Sequence, residues 1–283
     1  MGSRWNETTE RIRGYEQRGF DVVATGDHMR HPFDSDYELL DGWSVLPGWA
    51  MATAKVRLSM LVTNIIYRNP MLLARQATAV DHISGGRLDV GVGAGIFDSD
   101  HAMAGIPTWK VEERLDRLDE FLRAYAALLA GSESFDGRWY SFSEAALSPR
   151  PVQQPRPPLI VAANGRRAIA LAAKHGDGWN TWGGYGINEE QFFELAVQRG
   201  DLFTKSCLGI GRDPSLPMRS ILIHHAAVDA WESRDKFHEV VERSAEAGFS
   251  ELIFYEPRLE RQDSFDDIVE DVLPGFRSVA EMS

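Results

Sequence analysis

One local unit recurs along this chain and restricts its fold more than any other feature. A charged segment with helical spacing runs into glycine, and an apolar run follows within a few residues, as in EQRGFDVVATGD, HISGGRLDVGVGAG, AKHGDGWNTW and AEAGFSELIFYE. Glycine suits the left-handed position just past a helix, where a Cβ would clash, so each copy marks a helix stop and a strand start. Strands that are apolar on both faces and alternate with helices argue for a covered parallel sheet, not for a meander of hairpins.

The pattern predicts strands over residues 21–25, 57–63, 88–92, 159–163, 178–181, 219–224 and 251–255. The clearest helix runs over 111–129, where Leu115, Leu118, Leu122, Tyr125 and Leu129 repeat at spacings of three and four. The last helix is expected to follow Asp263 and Ser264 as its cap and to carry Ile268, Val269 and Val272. The expectation is an α/β protein, a TIM (β/α)8 barrel with insertions, built as one domain over residues 1–283. A closed parallel barrel normally needs eight strands, and only seven are legible. The first strand is missing ahead of the helix at residues 8–18. A truncated start, a gap in the barrel and a substitute segment all remain open. Residues 34–49 and 132–158 are too long and too rich in Gly, Pro, Trp and Ser for simple connections and are expected to be lids or insertions, with FDGRWYSFSE as a small hairpin. PRPVQQPRPP fits either the lead-in to a strand or a domain boundary.

Charge narrows the partners. With 42 acidic against 30 basic residues the formal charge is −12, a field that repels phosphate backbones and anionic head groups, so neither nucleic acid nor membrane is expected. The most apolar run, LSMLVTNII, has about half the length that crosses a bilayer and reads as a buried strand. Cys207 is the only cysteine, and the start MGSRWNETTE has no charged and apolar regions like those of a secretory signal, so a cytoplasmic location is expected.

Active sites of such barrels lie where strands end and loops begin. By that rule the candidates are Asp27 and His28, Thr63 and Asn64, Gly93, Ala94 and Gly95, and Asn164 and Gly165 with Arg166 and Arg167 opening a helix. A glycine loop leading into a helix offers free N–H groups to an anion such as a cofactor phosphate, although two arginines on an ordinary surface helix look the same. Asp27 and His28 suit acid or base work beside a hydride-transfer centre, or form a rim pair with no proton role. His28, His31 and His101 lack a metal-binding spacing, so no metal is expected. His224 and His225 are adjacent on a strand, which lets only one face inward. Trp43, Trp49, Trp109, Trp139, Trp179 and Trp182 suit a pocket that accepts a flat ring, or simply pack the core.

The run YRNPMLLARQATAVDHISGGRLDVGVGAGIFDSDHAMAGIP, followed by EERLDRLDEFLRAYAALL, resembles the luciferase-like monooxygenase superfamily, in particular its deazaflavin (coenzyme F420)-dependent oxidoreductases. The resemblance continues through FDGRWYSF, SPRPVQQPRPPLIVAANGRRAIALAAKHGDGWN, GFSELIFYE and VLPGFR. It implies a (β/α)8 barrel with the cofactor ring across the strand ends, F420 or alternatively FMN as cofactor, and a homodimer. It further implies that Asp27 and His28 stand near the reactive face of the ring. Met60, Leu61 and Thr63 match a bulged segment, often with a non-prolyl cis peptide, that backs the ring. Gly93, Ala94, Gly95 and Ile96 lie beside it, and Ala163, Asn164, Gly165 and Arg166 match the loop for the phosphate-bearing tail. Ile96 stands where the sugar-phosphate dehydrogenases of the superfamily carry a proton-donating Glu, so that activity is not expected. Three functions follow as expectations: hydride transfer between F420 and a small organic substrate, an FMN-dependent monooxygenase, and a barrel without catalysis.

Overall fold

The computed structural model describes residues 4–31, 36 and 38–275. The chain divides into two compact units, Met1–Ala162 and Ala163–Ser283.

The first unit runs α1 (Trp5–Gln17), β1 (Val22–Thr25), α2 (Gly42–Ala52), β2 (Arg57–Asn64), α3 (Pro70–Ser84), β3 (Leu88–Gly93), α4 (Asp98–Met103), α5 (Val111–Ala130), the hairpin β4 (Phe135–Asp136) and β5 (Ser141–Phe142), and β6 (Leu159–Ala162). β1, β2, β3 and β6 pair in that order, all parallel. β3 is buried at every position, as an apolar run covered on both faces requires. Leu58, Met60, Leu88 and Val90 from the strands and Leu73, Leu118, Phe121 and Leu122 from the helices are all without solvent exposure. Each such side chain contributes about 1.5–3 kcal/mol by leaving water.

Helix ends follow local chemistry. α3 opens on Pro70, whose missing N–H costs nothing there, with Asn69 Oδ1 accepting from the Met71 N–H at 2.9 Å. Its stop at Gly85 is left-handed, φ +69°, and Gly19 and Gly248 in two other copies of the repeat are left-handed too. The fourth copy departs from the expectation: Gly176 is extended, φ −83°, so the helix before it ends without a left-handed cap.

Residues 34–49 correct a second expectation. Asp34, Ser35 and Tyr37 lie outside the described residues, but from Gly42 onward the segment is not a lid; it is α2, which buries Trp43, Val45, Leu46 and Trp49. Pro47 and two glycines hide the helical signal, yet Asp41 caps the helix, and the bare backbone of Gly48 receives the Trp5 ring, which a Cβ would meet at 2.0 Å. The hairpin after α5 is present as expected. The Glu120 carboxylate holds it by accepting the backbone N–H groups of Arg138, Trp139 and Tyr140 at 2.9, 2.6 and 2.7 Å. The proline-rich stretch is tied to Asp81 through Gln153 and leads into β6, so it is a strand lead-in within this unit.

The second unit runs α6 (Arg166–His175), β7 (Gly178–Trp182), α7 (Glu189–Gly209), β8 (Met218–Ile223), α8 (Arg234–Glu246), β9 (Glu251–Phe254) and α9 (Gln262–Asp271). β7, β8 and β9 are parallel neighbours. Trp179, fully buried, stacks on Phe203 with centroids 4.7 Å apart. Asp263 and Ser264 do not cap the last helix: a 3-10 turn, Leu259–Arg261, feeds into it directly and places both inside its first turn. All seven sequence-predicted strands are present. VLPGFR lies partly outside the described residues.

Candidate active site

Three of the sequence-predicted strand ends meet in the first unit. Parallel register sets Asn64 beside Gly93, and the Asn64 N–H donates to Asp27 Oδ2 at 3.2 Å. Asp27 is only 4% exposed, a position that an isolated carboxylate could not hold ionised. Arg68 resolves this by gripping both oxygens, Nε to Oδ2 at 2.9 Å and Nη2 to Oδ1 at 2.6 Å. The same Nη2 reaches Asp41 at 2.6 Å, whose other oxygen accepts from the Ser44 N–H and hydroxyl at the start of α2. Contact with Asp27 raises the Arg68 pKa above its ordinary value. For Asp41, burial opposes ionisation, but Ser44 and Arg68 outweigh it and lower the pKa. Both oxygens of Asp27 are therefore engaged in hydrogen bonds.

His28 differs. Its ring folds back over Gly26, where a Cβ would come within 3.1 Å of the imidazole, and it faces Phe97 with centroids 6.3 Å apart. Nδ1 is buried without a hydrogen-bond partner. Burial lowers the pKa of the ring against the pull of Asp100 and then Asp27, so the imidazole is neutral near pH 7. Asp100, 4% exposed, accepts from Asn64 Nδ2 at 2.9 Å. The Tyr67 phenol lies beside that carboxylate without a well-formed hydrogen bond, and burial together with Asp100 holds it above the ordinary phenol range.

The peptide Leu61–Val62 is cis, and the register between β2 and β3 slips between Met60 and Thr63, the bulge that the resemblance implies. Gly91 and Gly93 admit it: a Cβ would lie 2.2 Å from the Met60 carbonyl oxygen in one case and 2.7 Å from Val62 Cγ2 in the other. Met60 and Thr63 are fully buried, and Thr63 Oγ1 accepts from the Trp43 indole at 3.2 Å, so their side chains serve packing. Leu61, Ala94 and Gly95 are half-buried and Ile96 is exposed. Arg114 of α5 pins the loop after β3 by donating to the Gly95 and Trp109 carbonyls and to Asp98.

The remaining candidates belong to the second unit. Ala163 is buried, its carbonyl accepting from the Trp179 indole at 2.8 Å. Asn164 Oδ1 accepts from the Thr181 hydroxyl at 2.8 Å, from the Trp182 N–H at 3.3 Å and from Arg199 Nη1 at 3.4 Å. Arg199 also donates to Thr181 Oγ1 and to the Trp182 carbonyl. Gly165 precedes α6 with no side-chain cap, a Cβ on it would meet nothing within 4 Å, and Arg166 and Arg167 are exposed. His224 and His225 do not take opposite faces. β8 ends at Ile223, so both rings leave a turn and stack at 4.4 Å.

Sequence reasoning missed Arg68, Asp41, Asp100, Arg114 and Arg199. Arg68 was visible next to the apolar run that ends β2; the others reach the strand ends from helices or loops. Among the described residues no group of three or more His, Cys, Asp or Glu is placed to hold a metal ion, and no helix is long and apolar enough to cross a membrane.

The family pattern described as luciferase-like monooxygenase matches residues 1–266. A Mycobacterium tuberculosis protein of unassigned function is 33% identical over 159 residues, 56% of this chain and 55% of that protein. The FMNH2-dependent dimethylsulfone monooxygenase of Pseudomonas putida is 33% identical over 116 residues, 41% of this chain and 32% of that enzyme. The chain thus spans about half the length, or less, of these curated relatives. An F420-dependent secondary alcohol dehydrogenase, solved with an F420–acetone adduct, superposes with a TM-score of 0.82 at 20% identity, covering 95% of this chain and 94% of that one. At that identity the likeness is one of fold.

Proposed function

Because the chain belongs to the luciferase-like monooxygenase family, we propose that it is an oxidoreductase that uses deazaflavin F420, with His28 holding or moving a proton beside the reacting atom. The observation that carries this reading is a half-buried, neutral imidazole at a strand end whose buried Nδ1 has no partner among the described residues. Such a nitrogen is matched to a ligand atom that donates to it or accepts from it, and an imidazole is a group that can hold or pass a proton there. When bound, a deazaflavin supplies hydride transfer. Asp27 keeps the strand ends ordered, because Arg68 and the Asn64 N–H occupy its oxygens.

The first unit suits the ring of such a group and the second suits a phosphate-like anion, each taken by itself. In the first, Leu61, Ala94, Gly95 and the exposed Ile96 offer an apolar seat for a flat ring. In the second, the open Gly165 loop, the uncapped start of α6 and Arg166 suit a phosphate-like anion, with Asn164 held in place by Thr181 and Arg199. Position 96 of the strand-end loop is Ile, a side chain that cannot protonate a sugar substrate. The Pseudomonas putida relative supports a second reading, reduced FMN with oxygen as co-substrate.

Titration of the purified protein with F420 and with FMN, followed by fluorescence, tests the proposal. F420 is expected to bind with a dissociation constant in the micromolar range, and His28→Gln to lower kcat about 10²–10⁴-fold on a small secondary alcohol while leaving that constant nearly unchanged. Tighter binding of FMN, with oxygen consumed on turnover, selects the second reading. Binding of neither at tens of micromolar overturns both.

A further inference from the structure

Five rings crowd the carboxyl ends of three consecutive parallel strands in the second unit. Trp182 closes β7, and Tyr185 follows it in the loop with its ring edge-on at 4.5 Å. Tyr185 faces His224 at 6.3 Å; His224 stacks on His225 at 4.4 Å and meets Tyr255, just past β9, at 4.7 Å. Tyr185 and Tyr255 remain 46% and 43% exposed, so ring surface is left to solvent where parallel α/β proteins place their ligands.

The cluster carries no net charge. The Ala226 N–H donates to His224 Nδ1 at 3.0 Å, which makes that nitrogen an acceptor, puts the proton on Nε2 and leaves the ring neutral. Burial and then the nearby Arg258 keep a second proton off His225, against Asp229 and Glu260. Both phenols are held protonated by burial. What the cluster offers is aromatic faces.

We infer that this ring cluster is a recognition surface for a planar, uncharged aromatic substrate, such as an aryl ketone. Ring faces favour a flat π-system over a saturated ring of the same size, and an uncharged, partly buried floor disfavours a carboxylate. The word substrate rests on the proposed oxidoreductase; the binding surface does not, since its rings all lie in the second unit and need no cofactor.

The test is a titration of the cofactor-free protein, followed by the imidazole proton resonances, which His224→Gln and His225→Gln assign. The probes are acetophenone, cyclohexyl methyl ketone and benzoate. Acetophenone is expected to shift both resonances and to bind roughly threefold to tenfold more tightly than the saturated ketone, with benzoate weakest. Tyr255→Leu should erase the preference, and Tyr185→Leu, in a loop, should weaken it if the first variant fails to fold. Equal shifts from the two ketones, or none at the solubility limit, overturn the inference, whatever the F420 titration gives.

Discussion

Arg68 joins two carboxylates of unequal burial, Asp27 at 4% side-chain exposure and Asp41 at 46%. The two ion pairs therefore contribute differently. Removing the guanidinium strands a charge in the interior on one side and merely returns a charge to water on the other. Arg68→Met is expected to cost about 3–5 kcal/mol in urea unfolding, whereas Asp41→Ala should cost about 0.5–2 kcal/mol, the range of a lost helix cap. Equal losses would show that the buried pair is not what stabilises this corner. Asp27 and His28 were legible because polar residues after an apolar strand stand out in sequence. Arg68, Asp100 and Arg199 were not assigned, because no periodicity says which long or acidic side chain will turn back to a strand end. His28's isolation was equally hidden, since it depends on the absence of a partner for Nδ1, which only packing decides.

At the level of elements, the strands were readable nearly to the residue. Most are short apolar runs bounded by glycine or charge; β3 is buried at every position, whereas β9 is half-buried throughout. α2 was not readable, since a proline and two glycines in 11 residues outweigh the inward spacing of Trp43, Leu46 and Trp49. Only the contact of Gly48 with Trp5 and the Asp41 cap reveal why those residues are tolerated. The β4–β5 hairpin depends on α5 in the same indirect way. Its two-residue strands are too short to stand alone, and Glu120, 3% exposed, supplies three acceptor contacts from outside. Glu120→Gln keeps the shape and removes the charge. It should cost about 1–3 kcal/mol and increase amide exchange at Arg138, Trp139 and Tyr140, while an unchanged exchange rate at all three would refute the clamp.

Across the molecule, acid should act through few groups. Glu16 accepts the backbone N–H groups of Ala54, Lys55 and Val56 at 2.8, 2.6 and 2.9 Å, as Glu120 does for the hairpin. In both, burial raises the pKa, but three amide contacts outweigh it and leave the carboxyl below its ordinary value of 4.5. A carboxyl depressed on folding contributes stability that is full above that ordinary value and is lost as pH falls through the lowered one. The denaturant midpoint is therefore expected to hold from pH 7 to about 5 and to fall below about 4.5, and the Glu16→Gln, Glu120→Gln double variant should flatten that fall. A decline of the same steepness in the double variant would place the acid sensitivity elsewhere. Glu16 and Glu120 do for two turns what a bound calcium ion does for many loops, with the polarity reversed: one anion gathers amides where a cation would gather carbonyls. Because that anion is covalently part of the chain, no chelator can strip it out, and protons are the one common reagent that undoes both knots.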